Sequence, residues 1–380
     1  MKRVLILSQT SVFGGAEVVL TDFLKENTSH DFLIFTSSDN SIIGKYKELL
    51  PNAKIITSST MRFYSMREHP LKAIYELLIR LKKVNQIVKE HKIDILYGNN
   101  TADLITVVLY KKLYNRQIKI ISHIHDMLDL PVYRKYLRFI RRFDNIVDAY
   151  IVPSSAGKKA FAEFVHDENK IHVIHNGVSC EHEKTLLTKE QLKEKYGIPV
   201  EKRVMLFVGL ISKIKRLDLF VNVIDALNEI VDEYVGVVIG KLADDSFSNF
   251  IYHKNIVYLG QRERETLFKE IYNMAECLIV TSDSENLSTV SLEAMSAGLF
   301  VAARDVGGTS EYIDDDNTGI LLPVNATPDM IAKKIYYIVN NDAKRNAIIE
   351  KANEMIKNEF DNNHKCDLIN QLIENLGKTE

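Results

Sequence analysis

The stretch from Glu276 to Gly308 reads ECLIVTSDSENLSTVSLEAMSAGLFVAARDVGG and decides the fold of the chain. Its two apolar runs, CLIVT and LFVAA, are too short for helices, and their aliphatic composition is typical of parallel strands buried on both faces. The segment between them predicts a helix from about Ser288 to Ala297, which Gly298 ends. The stretch therefore predicts a strand, a helix and a second strand, the repeating unit of a parallel α/β sheet.

Two glutamates flank the start of this predicted helix. Glu285 precedes it in the loop, and Glu293 lies eight positions later, inside the helix. Ser288 is the expected N-cap, so the first backbone N–H groups point into the crevice at the strand ends and form an anion site. Carboxylates on either side of an anion site suit a ligand with hydroxyls at both ends and phosphate between them. A nucleotide sugar has this chemistry.

These residues also carry a resemblance to a known family. Glu285-x7-Glu293, followed by AMSAG and by DVGGTSEYI, resembles the donor-site signature of the retaining glycosyltransferases with the GT-B fold. That family includes bacterial lipid mannosyltransferases and many polysaccharide-assembling enzymes. The resemblance implies an α/β GT-B fold, in which two Rossmann-like doubly wound parallel-sheet domains face each other across a cleft. It spans nearly the whole chain and is most specific from about Val208 to Glu311.

Length and composition agree with a two-domain globular protein. The chain has 380 residues, more than one core usually serves, with 46% hydrophobic and 26% charged residues. Its three cysteines, Cys180, Cys277 and Cys366, are far apart and lack metal-ligand spacing, so we expect reduced thiols, with Cys277 in the core. No apolar run reaches transmembrane length and the N-terminus does not resemble a signal peptide, which predicts a cytoplasmic protein.

Charge is distributed unevenly along the chain. Residues 1–180 carry 26 Lys and Arg against 18 Asp and Glu, a net charge of +8, whereas the remainder carries 23 against 33, a net charge of −10. A basic first half favours an anionic acceptor, such as a lipid-linked one. Nucleic acid is not expected as a partner, because it leaves the acidic second half unexplained.

One basic segment allows two interpretations. The sequence YRKYLRFIRRF, at residues 133–143, has five basic and no acidic residues interleaved with apolar ones. Such a segment suits peripheral contact with an anionic membrane at its inner face. It equally suits a surface helix whose apolar side packs on the sheet, and both interpretations stay open.

The alternation of strands and helices predicts the domain boundaries. Strands are expected from Arg3–Ser8 onward in the first half, with a long helix at 71–91, and a second sheet begins at Arg203. The polar stretch between the sheets marks the boundary, so residues 1–180 form an acceptor-side domain and 181–359 a nucleotide-sugar donor domain. The resemblance implies that a last helix, at about 360–380, packs back on the first domain.

The first domain holds five candidate site residues. Gly14 and Gly15 follow the first strand and allow close backbone approach to a ligand, with a tight turn as the alternative. The resemblance implies that such a glycine pair contacts the donor phosphate or lies at the acceptor cleft. His125, at a strand end in HIHD, matches a family histidine that binds the donor sugar or its phosphate, although most such histidines are structural. Asn99 and Asn100 end the preceding strand and are candidates for acceptor binding or for simple turn residues.

The second domain holds the remaining candidates. Lys213, Lys215 and Arg216 follow its first strand and are suited to a diphosphate. Lys215 matches a family lysine, whereas Leu210 occupies the position of a family arginine. By resemblance, further donor contacts come from a turn, from the loop and from the helix start, at Gln261, Asn286, Leu287, Ser288 and Thr289. Gly307, Gly308 and Glu311 fit the family pattern and are interpreted as structural.

The resemblance implies the transfer of a sugar, with retention, from a nucleotide-sugar donor to an acceptor held by the first domain. The basic first half favours a glycan, lipid-linked or other anionic acceptor. No metal and no cofactor are expected, because the cations and the helix start can stabilise the leaving diphosphate and no D-x-D-type carboxylate pair is expected in the cleft. His125, Lys215 and Glu285 are the expected catalytic residues, and Glu293 is expected to bind the ribose. Two alternatives stay open. The exchange at Leu210 suggests a non-catalytic nucleotide-sugar-binding partner subunit, and a nucleotide-sugar epimerase would use the same fold.

Overall fold

The computed structural model describes residues 1–11, 13–25, 27–61, 69–128, 137–138, 141–183 and 185–377. The chain divides into two compact units. The first comprises Met1–Gly177 together with the C-terminal residues from Asn362 onward, and the second comprises Val178–Asp361. Most of the basic segment at 133–143 lies outside the described residues.

The first unit is built on a seven-stranded parallel sheet. Its strands are β1 (Arg3–Ser8), β2 (Asp31–Ser37), β3 (Lys54–Ser58), β4 (Ile95–Gly98), β5 (Lys119–His123), β6 (Ala149–Val152) and β7 (Ile171–Val173). Their order across the sheet is β3-β2-β1-β4-β5-β6-β7. In register, Val4 lies beside Phe32 on one side and beside Ile95 on the other.

Within the described residues, helices connect most of these parallel strands. We number the α-helices of seven residues or more. Those of the first unit are α1 (Gly15–Lys25), α2 (Asn40–Leu49), α3 (Pro70–His91), α4 (Thr101–Leu113), α5 (Ser155–Ala162) and, from the C-terminus, α11 (Asn362–Leu376). The long helix predicted at 71–91 is confirmed as α3. Helix α11 contacts α1, and Lys365 donates to the carbonyl oxygen of Val19.

The second unit contains a six-stranded parallel sheet. Its strands are β8 (Arg203–Val208), β9 (Tyr234–Ile239), β10 (Ile256–Gly260), β11 (Ala275–Val280), β12 (Phe300–Arg304) and β13 (Ile320–Leu322). They are ordered β10-β9-β8-β11-β12-β13. The helices of this unit are α6 (Lys189–Lys195), α7 (Leu217–Ile230), α8 (Thr289–Ser296), α9 (Pro328–Val339) and α10 (Asp342–Glu359), with shorter turns at Ser248–Ile251 and from Arg264 to Met274.

Each sheet reverses its strand order at one point. In the first unit the reversal lies between β1 and β4, and in the second between β8 and β11. Ligands of open α/β sheets bind outside the carboxyl ends of the strands at such a switch point. The topology therefore directs attention to the loops that follow these four strands.

The strands form the centre of each unit because their side chains are apolar on both faces. Strand β9 is buried along its whole length, and Cys277 on β11 is fully buried, as the sequence predicts. The predicted fold class, two Rossmann-like parallel-sheet domains, is confirmed. Within the described part of the chain, no helix is both long and apolar enough to cross a membrane.

Candidate active site

Two loops meet at the switch point of the second unit. The hydroxyl of Thr281, just after β11, donates to the carbonyl oxygens of Lys215 at 2.9 Å and Arg216 at 3.0 Å. The backbone N–H of Asp283 donates to the carbonyl oxygen of Ile214 at 2.8 Å. These bonds hold the loop after β11 against the loop after β8, so that the side chains of both loops share one site.

Lys215 and Glu285 form an ion pair in this site. The Lys215 ammonium nitrogen lies 2.5 Å from Oε1 of Glu285, and the hydroxyl of Ser282 donates to the same oxygen at 2.6 Å. The Glu285 side chain is 10% exposed and that of Lys215 is 31% exposed. The lysine thus remains accessible to an incoming anion, whereas the glutamate is oriented by two donors.

Glu293 is the second carboxylate of the site and lies buried on helix α8. The Arg264 Nε–H donates to its Oε1 at 2.7 Å, and the hydroxyl of Tyr272 lies 3.4 Å from its Oε2. Burial and the neighbouring charge of Glu293 raise the pKa of Tyr272 well above its usual value, so this phenol stays protonated and able to donate. The guanidinium of Arg264 compensates the buried charge of Glu293.

The two cations beside Lys215 have different surroundings. Arg216 has a left-handed backbone, with φ 53°, and its guanidinium binds Asp218 at 2.9 Å and Asp283 at 3.1 Å. The hydrogen bonds that Arg216 donates to Asp218, followed by the negative charges of Asp218 and Asp283, raise the pKa of Arg216. Lys213 lies exposed on the same 3-10 turn as Lys215. Of the three predicted cations, Lys215 thus pairs with Glu285 and Arg216 pairs with two aspartates.

Helix α8 begins as the sequence predicts. The Ser288 side chain accepts a hydrogen bond from the backbone N–H of Ser291 at 3.3 Å, which confirms Ser288 as the N-cap, and Thr289 is the first helical residue. Leu287 is buried in the core just before the cap. Gln261 lies exposed after β10. Because the first N–H groups of a helix have no partner within it, the start of α8 is suited to an anion.

The glycine turn after β12 packs against the backbone of the loop that carries Glu285 and Asn286. Gly308 N–H donates to the carbonyl oxygen of Asn286 at 3.0 Å. Gly307 has φ +55°, and a Cβ there would overlap the carbonyl oxygen of Glu285. Glycine is required because the two backbones touch and because L-residues avoid this conformation. The structural interpretation of both glycines therefore agrees with their contacts.

Arg304 is a contributor to this loop that sequence reasoning missed. It is the last residue of β12, is buried, and donates to the carbonyl oxygens of Thr281 at 3.3 Å and Val324 at 2.7 Å. Its guanidinium also pairs with Asp283. A single arginine ending the apolar run LFVAAR was the available signal, because a buried charge needs several partners. Arg264 was missed as well, since nothing local links it to Glu293.

In the first unit, the glycine pair lies beside a buried glutamate. The backbone N–H of Gly14 donates to Oε2 of Glu17 at 3.0 Å, and the hydroxyl of Ser8 lies 3.3 Å from its Oε1. Burial raises the pKa of Glu17. Gly15 is the first residue of α1, and a Cβ there would meet no neighbouring atom. The Gly14 amide is therefore engaged within its own turn.

The two asparagines after β4 have different roles. Asn100 caps α4, because its side-chain oxygen accepts from the N–H groups of Ala102 at 3.0 Å and Asp103 at 3.2 Å. Asn99 is fully buried, its backbone N–H donates to Leu7, and its side-chain amide donates to Ala16. The turn interpretation therefore accounts for the contacts of Asn100, and Asn99 lies beneath the surface of the described unit.

His125 lies just after β5 and stacks on His123, the last residue of that strand. The two ring centroids are 3.9 Å apart, and Nδ1 of His123 lies 2.7 Å from the hydroxyl of Tyr97. Burial, followed by the charge of Lys365, lowers the pKa of His125 to about 3. His125 is consequently neutral near pH 7, when it is able to exchange hydrogen bonds without carrying a positive charge.

Among the described residues, no group of three His, Cys, Asp or Glu side chains is arranged to hold a metal ion. The adjacent Asp244 and Asp245 are exposed, and Asp244 caps its own 3-10 turn by accepting from the backbone N–H of Ser246. The fold and these strand-end sites define an α/β protein with two Rossmann-like domains, of which the second carries a site suited to an anion and its hydroxyl-bearing neighbours.

Comparison with known proteins gives the family. Residues 13–182 match the family described as Glycosyltransferase Family 4, and residues 188–355 match the family described as Glycosyl transferases group 1. The two matches together span most of the chain, and each covers most of one unit. The chain therefore belongs to the glycosyltransferases that combine these two domain families, and its fold is GT-B.

Individual relatives agree with this assignment over nearly full length. The chain is 24% identical to N-acetyl-alpha-D-glucosaminyl L-malate synthase of Bacillus anthracis, over 91% of the chain and 90% of that protein. The structure of Anabaena Alr3699/HepE in complex with UDP-glucose is similar with a TM-score of 0.81 at 20% identity, over 99% and 100% of the two chains. A mutant of S. aureus TarM in complex with fondaparinux, alpha-GlcNAc-glycerol and UDP has a TM-score of 0.78 at 15% identity, over 100% of both chains.

Proposed function

We propose that the chain transfers a sugar, with retention of anomeric configuration, from a nucleotide-sugar donor bound by the second unit to an acceptor bound by the first. The observation that carries the proposal is the Lys215–Glu285 pair next to the start of α8. The cation and the helix start suit the phosphates of such a donor. The two carboxylates, eight residues apart, suit the hydroxyls of its sugar and of its ribose.

Each residue of the second unit has a stated role in this proposal. Glu293 accepts hydrogen bonds from the ribose hydroxyls, and Glu285 accepts them from hydroxyls of the donor sugar. As the bond between the anomeric carbon and the diphosphate oxygen breaks, negative charge grows on the diphosphate. Lys215 and the N–H groups at 287–289 stabilise that charge. A single hydrogen-bonding group of this kind typically lowers the activation barrier by about 3–4 kcal/mol.

Residues of the first unit complete the proposed chemistry. Neutral His125 supplies a hydrogen bond to the donor sugar or its phosphate, as the family resemblance implies. Gly14 and Gly15 stay candidates for phosphate contact through their backbone, and Asn99 and Asn100 for the acceptor side. Because the Gly14 amide already donates to Glu17, we rank Gly15 above it, whereas Asn99 and Asn100 both have partners within the first unit and stay candidates alike.

We propose a UDP-hexose as donor and an anionic molecule, glycan or lipid-linked, as acceptor. The UDP-glucose complex of the Anabaena protein supports the donor class. The net charge of +8 in residues 1–180 supports an anionic acceptor, as does malate in the name of the Bacillus anthracis relative. We further propose that the enzyme works on the cytoplasmic side and needs neither metal nor cofactor, since Lys215 and the helix start supply positive potential.

One observation favours a second function, nucleotide-sugar binding without transfer. Leu210 stands where the family has an arginine, and its side chain is more than half exposed. A site with one cation fewer binds a donor but stabilises the leaving diphosphate less. A partner subunit that senses nucleotide sugars would have this property.

The test is a panel of UDP-, GDP- and ADP-linked hexoses, measured by thermal shift and by release of nucleoside diphosphate, with and without EDTA. We expect one donor to raise the melting temperature and to be slowly hydrolysed, unaffected by EDTA. Donor binding without any diphosphate release, with acceptors of all proposed classes present, would favour the sensor. An altered sugar instead of free diphosphate would indicate an epimerase.

A further inference from the structure

Helix α3 carries a row of large apolar side chains that face solvent. Leu71, Ile74, Tyr75 and Leu78 are 83%, 45%, 63% and 53% exposed. Their spacing, i, i+3, i+4 and i+7, places them on one face over the first turns of the helix. We name these four residues the α3 stripe. Monomeric proteins seldom expose contiguous apolar side chains of this size without an interaction partner.

The stripe is separate from the face that α3 buries. Leu81, Val84, Ile87 and Val88 belong to the core of the first unit. On the same buried side, Arg80 donates to the carbonyl oxygen of Thr60 at 2.8 Å. The helix is therefore anchored through its second half and has no need of the stripe for its own packing.

Positive charge continues the exposed face beyond the stripe. Lys82 lies four residues after Leu78, one turn further along, and Lys89 lies seven residues after Lys82, so both share the face of the stripe. Both lysines are exposed, as is Lys72 beside the stripe. The helix carries five Lys and Arg against two Asp and Glu. The face is thus apolar over its first turns and cationic over the rest.

We propose that this face of α3 docks the protein on an anionic lipid bilayer. The stripe enters the boundary between headgroups and acyl chains, while Lys82 and Lys89 lie near the phosphates. A helix that lies in the interface combines apolar insertion with charge attraction, so the stripe and the lysines both contribute to binding. The docking depends on α3 alone, and it rests on the proposed function only for its purpose, access to a lipid-linked acceptor.

The charge pattern favours a membrane over a second copy of the chain. Four side chains offer less than the ~800 Å² that each partner buries in a standard interface. A symmetric contact between two copies would also bring two sets of lysines together without acidic partners on that face. An anionic bilayer has neither difficulty, because it extends beyond the stripe and neutralises every lysine at once.

The test measures co-sedimentation of the full chain with vesicles of phosphatidylcholine, alone or mixed in equal parts with phosphatidylglycerol. We expect binding to the mixed vesicles that falls with added salt. The double variant Leu71→Asn, Leu78→Asn should bind about tenfold or more weakly, and so should Lys82→Gln, Lys89→Gln. The matched control is Leu186→Asn, Tyr252→Asn, which removes two exposed apolar side chains of the second unit and should bind as the wild type does.

All variants change exposed residues, so their melting temperatures should stay close to that of the wild type. Absence of vesicle binding, or equal loss in the control, overturns the proposal. A concentration-dependent dimer in sedimentation velocity that the Leu71→Asn, Leu78→Asn variant abolishes would instead assign the stripe to a second copy. The thermal shift caused by a nucleotide sugar separates the membrane-docking proposal from the transferase proposal. If docking fails, the response to the nucleotide sugar stays intact, and if the transferase proposal fails, vesicle binding stays intact.

Discussion

The Lys215 ammonium nitrogen lies 2.5 Å from Oε1 of Glu285, although the two residues are 70 positions apart in the chain. They meet because β8 and β11 are neighbours in the sheet, and each residue follows the end of its strand. The cation that we propose to neutralise the diphosphate is thus paired with the carboxylate that we propose to bind the sugar. A bound donor would compete with this ion pair for both side chains.

Lys215→Ala should abolish most activity at little cost to stability. The pair is partly solvated, and such pairs contribute about 1 kcal/mol or less to folding. Loss of the cation removes a charge that acts on the leaving diphosphate, so we expect kcat to fall about 100-fold or more. Diphosphate release under saturating donor measures the effect, with thermal melting alongside.

Two lysines provide the comparison for that variant. Lys254→Ala removes an exposed charge of the second unit away from the switch-point loops and should leave kcat unchanged. Lys213→Ala tests the neighbouring cation on the same turn. If Lys213→Ala lowered kcat more than Lys215→Ala, the assignment of the diphosphate to Lys215 would be wrong.

The two glutamates should separate nucleotide binding from sugar binding. Glu293→Gln should weaken both the nucleoside diphosphate and the nucleotide sugar, by about tenfold, because a neutral amide accepts a ribose hydroxyl less strongly and disturbs Arg264. Glu285→Gln should weaken the nucleotide sugar and leave the diphosphate nearly unchanged. Isothermal titration with both ligands measures this, and equal effects of the two variants on both ligands would contradict the assigned roles.

Much of the fold followed from local patterns in the sequence. Short aliphatic runs alternating with helical periodicity predicted both parallel sheets, and the serine three residues before Ser291 predicted the cap of α8. Such features depend on residues close in sequence, where spacing and residue type decide the structure. The sequence assigned Glu285 and Lys215 to one donor site, but it did not predict that they form an ion pair, because the two residues meet only through the packing of neighbouring strand-end loops.

Other parts of the site depend on contacts that no local pattern encodes. Arg264 and Glu293 lie 29 positions apart and meet through the irregular helical segment that precedes β11. Arg216 resembled a phosphate ligand by position, yet two aspartates hold its guanidinium. The hydrogen-bond partner of an arginine depends on the tertiary geometry of several loops. A single sequence does not provide that geometry.

Gly307→Ala should disrupt the donor loop. The left-handed backbone alone costs an alanine roughly 1 kcal/mol, and its Cβ would also displace the carbonyl oxygen of Glu285. We expect a loss of about 2 kcal/mol or more in the free energy of unfolding, together with weaker donor binding. Urea unfolding and donor titration measure the two effects.

Gly44→Ala is the matched control for this substitution. Gly44 lies inside α2, where a Cβ would meet no neighbouring atom. An alanine there should stabilise the protein by about 0.5–1 kcal/mol, because glycine is the poorer helix former. Equal destabilisation by both substitutions would show that the contact with Glu285 is not the cause.

His125 should make the stability of the protein depend on acid pH. Burial lowers the pKa of its folded form to about 3, against about 6.5 in the unfolded chain. Below pH 6.5 the unfolded chain therefore binds a proton that the folded chain does not, so stability is fully present above pH 6.5 and falls as the pH drops toward 3. His125→Gln should reduce the fall of the melting temperature over this window without abolishing it, because burial also lowers the pKa of His123. The exposed His364→Gln is the control, and an unchanged acid slope in His125→Gln would contradict the burial of a neutral imidazole.

Arg304→Met should lower both stability and donor affinity. The side chain is buried and binds the carbonyl oxygens of Thr281, Ser282 and Val324, so its loss leaves these acceptors without their donor at a cost of about 2–4 kcal/mol. The loop at 281–283 is then held less firmly. This loop positions Lys215, because the Thr281 hydroxyl donates to the Lys215 carbonyl oxygen.

Arg203→Met distinguishes a local effect from general destabilisation. Arg203 also donates to a backbone carbonyl, that of Val339, and pairs with Glu276, but it lies at the start of β8, the end opposite to the switch-point loops. Both variants should melt at lower temperature, whereas only Arg304→Met should raise the dissociation constant of the donor, measured well below either melting temperature. The reason is geometric, since Arg304 ends β12 on the carboxyl edge where the loops of Lys215 and Glu285 meet. A donor affinity lost equally in both variants would assign Arg304 to the stability of the sheet alone.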